Sequence, residues 1–103
     1  MAFVRVMDAA DVIEGRPSLA VIGDTEVAIF RVGDTVFAID DVCSHAEASL
    51  VEGEQFQYVV ECPRHGGRFD IRTGKAIHFP AFSPVRTFPV KIDQNAVFID
   101  VEE

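Results

Sequence analysis

The segment Cys62-Pro-Arg-His-Gly-Gly-Arg-Phe-Asp70 holds one of the two cysteines and one of the three histidines of the chain, followed by two glycines. Core packing gives no reason to place a thiol, an imidazole and two glycines so close together. Gly66 and Gly67 lack side chains, so their backbone amides can turn toward negatively charged sulfur. The segment therefore predicts a loop that binds an inorganic group.

A second pair of donors lies upstream in Cys43-Ser-His45, and sixteen residues separate it from Cys62-Pro-Arg-His65. Each motif places a thiolate donor close to an imidazole, so two facing loops could present two sulfur and two nitrogen ligands. The remaining histidine, His78, fits neither motif and is expected in a loop or on the surface. The predicted metal ligands are Cys43, His45, Cys62 and His65.

Three interpretations fit these four donors. The cysteines could be ordinary core residues, alone or joined as a disulfide, with unrelated histidines nearby. A structural zinc site also accepts two cysteines and two histidines, although zinc fingers usually pair cysteine with cysteine and histidine with histidine. A Rieske [2Fe–2S] centre uses the same set, with two cysteines on one iron and two histidines on the other.

The composition describes a single small domain. The chain has 103 residues, 49% of them hydrophobic and 25% charged, and a net charge of −8. This charge argues against nucleic acid or an anionic membrane as a partner and favours a basic protein partner. The N-terminal sequence lacks the basic start and apolar run of a signal peptide, and no stretch approaches the ~18 apolar residues of a membrane span. We therefore expect a cytoplasmic protein.

Short runs rich in Val, Ile and Phe predict an all-β fold built from antiparallel sheets, with no helix longer than a turn or two. Gly23-Asp24 and Gly33-Asp34 predict tight turns that join three strands in a meander. Pro89 lies inside its run and predicts an edge strand. Asp8 is expected to cap a helical turn over residues 8–14. The predicted strands are residues 3–7, 19–22, 26–32, 35–39, 57–61, 87–92 and 96–101.

Residues 41–85 differ from the two β-rich ends, because they hold both cysteines, all three histidines and little regular alternation. We predict one domain, 1–103, in which a small loop-built cluster-binding subdomain at about 41–85 is inserted in a β base. Asp40 and Asp41, which precede the first donor pair, are interpreted mainly as turn residues.

The two motifs together, C-x-H and then C-P-x-H-G-G-x-F-D, resemble the Rieske-type ferredoxins of bacterial aromatic-ring-hydroxylating dioxygenase systems. The turn at Arg72–Lys75, the segment Phe79–Pro84 and the final hairpin are also similar, so the resemblance covers essentially the whole chain. It implies a Rieske-like sandwich that holds one [2Fe–2S] cluster. By resemblance, Cys43 and Cys62 would bind the inner iron, and His45 and His65 the outer iron near the surface.

The resemblance also implies a one-electron carrier and not an enzyme. Such a ferredoxin takes electrons from an NADH-dependent flavoprotein reductase and passes them to a terminal oxygenase that hydroxylates an aromatic ring. A monomer is expected. The alternative is a Rieske-like small subunit of an assimilatory nitrite reductase or another oxidoreductase complex. A non-redox binding module is disfavoured because all four ligands are present.

Two further expectations follow from the resemblance. High-potential Rieske proteins carry a disulfide between the loops and a Ser and a Tyr that donate hydrogen bonds toward the cluster sulfurs. This sequence has other residues there, so we expect a potential near ~−150 mV and not near ~+300 mV. The replacing residues are Ala48, Arg64, Gly67 and Phe69. Phe79, Pro80, Phe82 and Pro84 are expected either to offer an apolar docking patch or to pack beneath a loop.

Overall fold

The computed structural model describes residues 2–43, 48–64, 66–81 and 83–102. Almost all regular structure in these ranges is β, as predicted, and the helical pieces are two single 3-10 turns, Ala9–Asp11 and Leu50–Glu52. None of the helices in the described ranges could span a bilayer. The strands are β1 Val4–Asp8, β2 Ser18–Ile22, β3 Thr25–Val32, β4 Thr35–Asp40, β5 Glu54–Phe56, β6 Val59–Glu61, β7 Arg68–Asp70, β8 Ala76–His78, β9 Thr87–Phe88, β10 Val90–Asp93 and β11 Ala96–Ile99.

The strands form three antiparallel sheets. The first has the order β1-β11-β10, the second β2-β3-β4-β9 and the third β5-β6-β7-β8. In the second sheet, β2, β3 and β4 are consecutive antiparallel neighbours, which confirms the predicted meander.

Strand β3 lies between two hydrophobic cores because its successive side chains point to opposite faces. Val27 and Ile29 enter one core, and Ala28 and Phe30 enter the other. All four are fully buried. The base core comprises Val12, Val27, Ile29, Val36, Ala38, Phe88, Val97 and Ile99. The site core comprises Ala28, Phe30, Ile39, Cys43, Leu50, Val60, Cys62, Phe69, Ile71, Ala81 and Val85.

The predicted hairpin turns are present, with the backbone geometry that tight turns require. Gly23 and Gly33 have φ values of +61° and +60° in the two-residue loops of the meander. Between β10 and β11, Gln94 and Asn95 have φ values of +49° and +65°. Positive φ at both central positions is the mark of a type I′ turn, whose twist matches that of the flanking strands.

Pro89 divides the predicted strand 87–92 in two. Strand β9 ends at Phe88 and pairs with β4, whereas β10 begins at Val90 and pairs with β11. Both are edge strands of their sheets, so the edge prediction is confirmed. The proline marks the point at which the chain leaves one sheet for another, since it cannot donate to either ladder.

Three expectations need correction. Residues 41–85 contain a four-stranded sheet, β5 to β8, of which only one strand was predicted, at 57–61; its strands have three residues each, too few to show an alternating pattern. The strand predicted over 57–61 begins at Val59, because Gln57 has a φ of +55° in the turn after β5. Asp8 lies at the N-cap of the first 3-10 turn without a side-chain capping bond, and its carboxylate pairs with Arg5 instead.

The close contact between Gly74 and Val85 yields a stability prediction. Gly74 has a φ of +76°, and a Cβ added there would lie 2.1 Å from the carbonyl oxygen of Val85. We expect Gly74→Ala to lower the free energy of unfolding by about 1–2 kcal/mol for the left-handed backbone and a further 1–3 kcal/mol for the overlap. Urea denaturation followed by circular dichroism measures the loss.

Gly23→Ala is the matched control, because Gly23 has a similar φ of +61° and nothing within 4 Å of an added Cβ. It should show only the backbone cost of about 1–2 kcal/mol. Equal losses in the two variants would contradict the packing argument.

Candidate metal centre

The two cysteines are buried in the same core. Cys43 follows β4 and is 3% exposed, and Cys62 follows β6 and is 1% exposed. Both belong to the site core, and neither forms a disulfide. The disulfide interpretation is therefore wrong, and the fold brings together two thiol side chains from two separate loops.

The first ligand loop is closed by backbone pairs on its two sides. The amide of Cys43 donates to the carbonyl of Ala48 at 2.9 Å, and Val42 and Ser49 form an antiparallel bridge. Cys43 and Ala48 thus lie side by side where the loop begins and ends. The predicted ligand His45 lies between them, outside the described residues.

The buried carboxylate of Asp41 stabilises the chain that follows this loop. Asp41 is 3% exposed and accepts hydrogen bonds from the Ser49 hydroxyl, at 2.9 Å and 2.7 Å to its two oxygens, and from the Val51 amide at 2.9 Å. The interpretation of Asp41 as mainly a turn residue missed these hydrogen bonds of its side chain. Its partners lie eight and ten residues away, so a local turn pattern carries no signal for them.

Its neighbour Asp40 also has a specific role. The carboxylate of Asp40 pairs with the Arg86 guanidinium at 2.9 Å and accepts from the Arg86 amide at 2.8 Å. The pair joins the end of β4 to the chain just before β9. The pair thereby fixes the end of β4, where the first ligand loop starts, to the chain next to the edge strand β9 of the same sheet.

The second ligand loop joins β6 to β7 and closes in the same way. The amide of Cys62 donates to the carbonyl of Gly67 at 2.7 Å, and the amide of Gly66 donates to the carbonyl of Cys62 at 3.1 Å. Gly66 has a φ of +77°, which a residue with a side chain rarely adopts. At the base, Arg68 Nε lies 2.9 Å from Glu61 Oε1. The predicted ligand His65 lies in this loop but outside the described residues.

The segment after β8 is partly core and partly surface. His78 is exposed, as predicted, and its Nδ1 lies 2.7 Å from the Phe79 carbonyl oxygen. Phe79 is 78% exposed, whereas Ala81 is only 5% exposed and belongs to the site core. Pro84 is also exposed, Pro80 is half-buried, and Phe82 lies outside the described residues. Phe79 therefore offers an apolar surface and does not pack beneath the loop.

The chemistry of these donors fits an iron–sulfur cluster. Two buried thiols in one core can both be thiolate ligands only if a positively charged centre compensates them, since a bare buried thiolate is costly. Cys43 and Cys62 are two such buried thiols, so a bound metal centre would provide the compensating charge. Each of the two loops also carries one histidine of the predicted ligand set.

A comparison with protein families decides between iron–sulfur and zinc. The profile of the Rieske [2Fe-2S] domain matches residues 2–89. The chain belongs to the Rieske [2Fe-2S] domain family. Its cofactor is accordingly one Rieske-type [2Fe–2S] cluster, and the zinc interpretation is wrong.

Known Rieske proteins resemble the chain over nearly its full length. The anthranilate 1,2-dioxygenase ferredoxin subunit of Burkholderia cepacia is 43% identical over 88 residues, which are 85% of this chain and 82% of the relative. The ferredoxin of carbazole 1,9a-dioxygenase from Nocardioides aromaticivorans IC177 matches with a TM-score of 0.95 at 36% identity, covering 99% and 100% of the two chains.

A third structure shows a related protein together with a partner. A chain in the complex of reduced oxygenase and oxidized ferredoxin in carbazole 1,9a-dioxygenase matches with a TM-score of 0.92 at 34% identity, covering 98% and 94% of the two chains. Because these relatives are ferredoxins and not catalytic components, the Rieske protein described here is an electron carrier and not an enzyme.

The nitrite reductase alternative has weaker support. A protein described as an NADH-dependent nitrite reductase small subunit, from Mycobacterium tuberculosis, matches with a TM-score of 0.84 at 19% identity, covering 95% and 93% of the chains. That likeness shows the shared fold alone.

The last residue of the second motif yields a prediction about pH. Asp70 accepts hydrogen bonds from the Arg72 side chain at 3.1 Å, and these hold the pKa of Asp70 below its usual range. The pair stabilises the fold when Asp70 is ionised, so this contribution is present above about pH 4 and is lost as the pH falls through the folded-state pKa. The difference in unfolding free energy between wild type and Arg72→Gln should shrink on acidification.

Chemical denaturation from pH 2 to pH 7 measures this difference. Lys75→Gln is the control, because it removes a positive charge from the same turn without changing the hydrogen bonds of the Asp70 side chain. A pH-independent difference for Arg72→Gln would contradict the ion-pair argument.

Proposed function

We propose that this Rieske protein is a low-potential ferredoxin that passes electrons from an NADH-dependent flavoprotein reductase to a terminal aromatic-ring-hydroxylating oxygenase. The observation that carries the proposal is its 43% identity to a dioxygenase ferredoxin subunit, over most of both chains. The related ferredoxin found with its oxygenase supports the second partner. A nitrite reductase subunit is less favoured because its match is limited to the fold.

The four proposed ligands form two pairs. Cys43 and Cys62 would hold the inner iron, because their side chains lie in the site core at 3% and 1% exposure. His45 and His65 would hold the outer iron. The cluster supplies reversible one-electron chemistry when bound. The protein contributes the fixed loops, held by the Cys43–Ala48 and Cys62–Gly67 hydrogen bonds, within a subdomain of about residues 41–85.

Phe79 is the proposed centre of the docking surface. It is 78% exposed, the highest value among the large hydrophobic residues that the structure describes as exposed. It lies two residues before Ala81, which packs in the core that holds both cysteines. A partner that covers Phe79 would therefore be brought close to the site. An exposed aromatic side chain is also the kind of residue that contributes strongly to protein association.

The ligand assignment predicts the behaviour of three histidine variants. His45→Ala and His65→Ala should each lose most of the cluster, because one iron loses a donor. His78→Ala should retain about two irons and two acid-labile sulfides per chain. Metal analysis, visible absorption and electron paramagnetic resonance of the reduced protein provide the readouts. Full cluster content in His45→Ala or His65→Ala would overturn the assignment.

The partner assignment predicts a docking variant. NADH-driven reduction of a terminal oxygenase, reconstituted with its reductase, should depend on added ferredoxin.

Phe79→Ser should weaken binding to a partner by about 1–2 kcal/mol, or roughly 5- to 30-fold in Kd. Stopped-flow kinetics and calorimetry measure these changes.

Ile92→Ser is the matched control, because Ile92 is 45% exposed but lies on β10 in the sheet β1-β11-β10, which carries neither ligand loop. Its effect on transfer should be negligible. Failure of wild-type protein to reduce any aromatic-ring-hydroxylating oxygenase, with co-purification of a nitrite reductase large subunit, would favour the alternative function.

A further inference from the structure

Asp41 differs from most acidic residues of the chain because it is buried. It is 3% exposed, and Asp100 is the other buried charged residue in the described ranges. A carboxylate is costly to bury unless hydrogen-bond donors and compensating interactions surround it. Asp41 lies two residues before Cys43, so its position beside the cluster-binding loop calls for an explanation.

Three consecutive residues on the far side of the first ligand loop donate to Asp41. The Ser49 hydroxyl donates its one proton to the carboxylate, with its oxygen 2.9 Å and 2.7 Å from the two carboxylate oxygens, and the Val51 amide donates to Oδ1 at 2.9 Å. Between them, the Leu50 amide donates to the Asp41 carbonyl oxygen at 2.7 Å. Asp41 thus fixes residues 49–51, which follow the loop that carries Cys43.

The same residue is anchored to the central sheet. The Asp41 amide donates to the carbonyl of Glu26 on the neighbouring strand β3 at 2.9 Å. The Leu50 side chain, fully buried, packs in the site core with Cys43. Asp41 therefore links the rigid second sheet to both sides of the loop.

We propose that Asp41 is a positioning residue for the [2Fe–2S] cluster that also lowers its reduction potential. Its hydrogen bonds hold the loop in the geometry that presents Cys43. Its negative charge, buried and hence weakly screened, disfavours the addition of an electron to a group bound at Cys43. The proposal rests on the proposed ligation by Cys43.

Two substitutions separate the charge from the hydrogen bonds. Asp41→Asn removes the charge but keeps the size, and its amide can still accept from Val51 and exchange hydrogen bonds with Ser49. It should retain the cluster and show a reduction potential shifted upward. Asp41→Ala removes both contributions and should lose most of its iron and sulfide. Ser49→Ala removes one donor and should lose less of the cluster than Asp41→Ala.

Asp40→Asn is the matched control. It deletes the same charge one residue earlier, but the Asp40 carboxylate is paired with Arg86 and does not contact the loop residues that bind Asp41. It should keep its cluster and shift the potential less than Asp41→Asn. Iron and sulfide analysis, electron paramagnetic resonance and protein-film voltammetry of the purified proteins give the readouts, and none of them requires a reductase or an oxygenase.

Two results would overturn the proposal. One is an Asp41→Asn protein whose potential equals that of wild type or moves no further than that of Asp40→Asn. The other is an Asp41→Ala protein with full cluster content and an unchanged spectrum. If Asp41→Ala does not fold, Asp41→Asn and Ser49→Ala still decide the outcome. Neither result affects the carrier role, which the reconstituted electron-transfer assay tests separately.

Discussion

Burial of β3 on both faces is the constraint on which the rest of the structure depends. Val27 and Ile29 pack against the sheet β1-β11-β10, through Val97 and Ile99 in the base core. Ala28 and Phe30 pack on the opposite side. Each fully buried side chain of this size contributes about 1.5–3 kcal/mol, so the strand cannot shift in register without exposing both cores. The site core therefore packs against a strand whose register both cores fix.

The two ligand loops use one device to stay closed. In each, the amide of the cysteine donates to a carbonyl five residues later, Cys43 to Ala48 and Cys62 to Gly67. These bonds fix the backbone that carries the two sulfur atoms. They also engage the amides of both cysteines, so those groups do not remain available as donors toward sulfur.

Sequence reasoning succeeded where a pattern has a local cause. The meander followed from Gly23 and Gly33, since a tight turn needs the positive φ that glycine provides. The family was predicted from the resemblance of the two donor motifs to those of Rieske-type ferredoxins, and the match of the Rieske profile confirms it. Sequence reasoning failed where a feature depends on residues that are distant in the sequence or on strands too short to show a pattern. Strands β5 to β8 are too short to alternate visibly, and the role of Asp41 depends on partners that only the fold brings near.

The arrangement separates a protected site from an exposed apolar surface. The cysteines lie at 3% and 1% exposure in the site core, which also contains Ala28 and Phe30 of β3. Phe79, a few residues from Ala81 of the same core, is 78% exposed. Residues 1–42 carry eight acids and three bases, whereas residues 43–85 carry five acids and four bases. In the proposed docking mode, the acidic excess of residues 1–42 would steer a basic partner from a distance, and the nearly neutral residues 43–85 would make the contact through apolar surface. The sheets thus protect the cysteines, whereas the proposed recognition surface lies in the segment after β8, which Ala81 anchors in the same core.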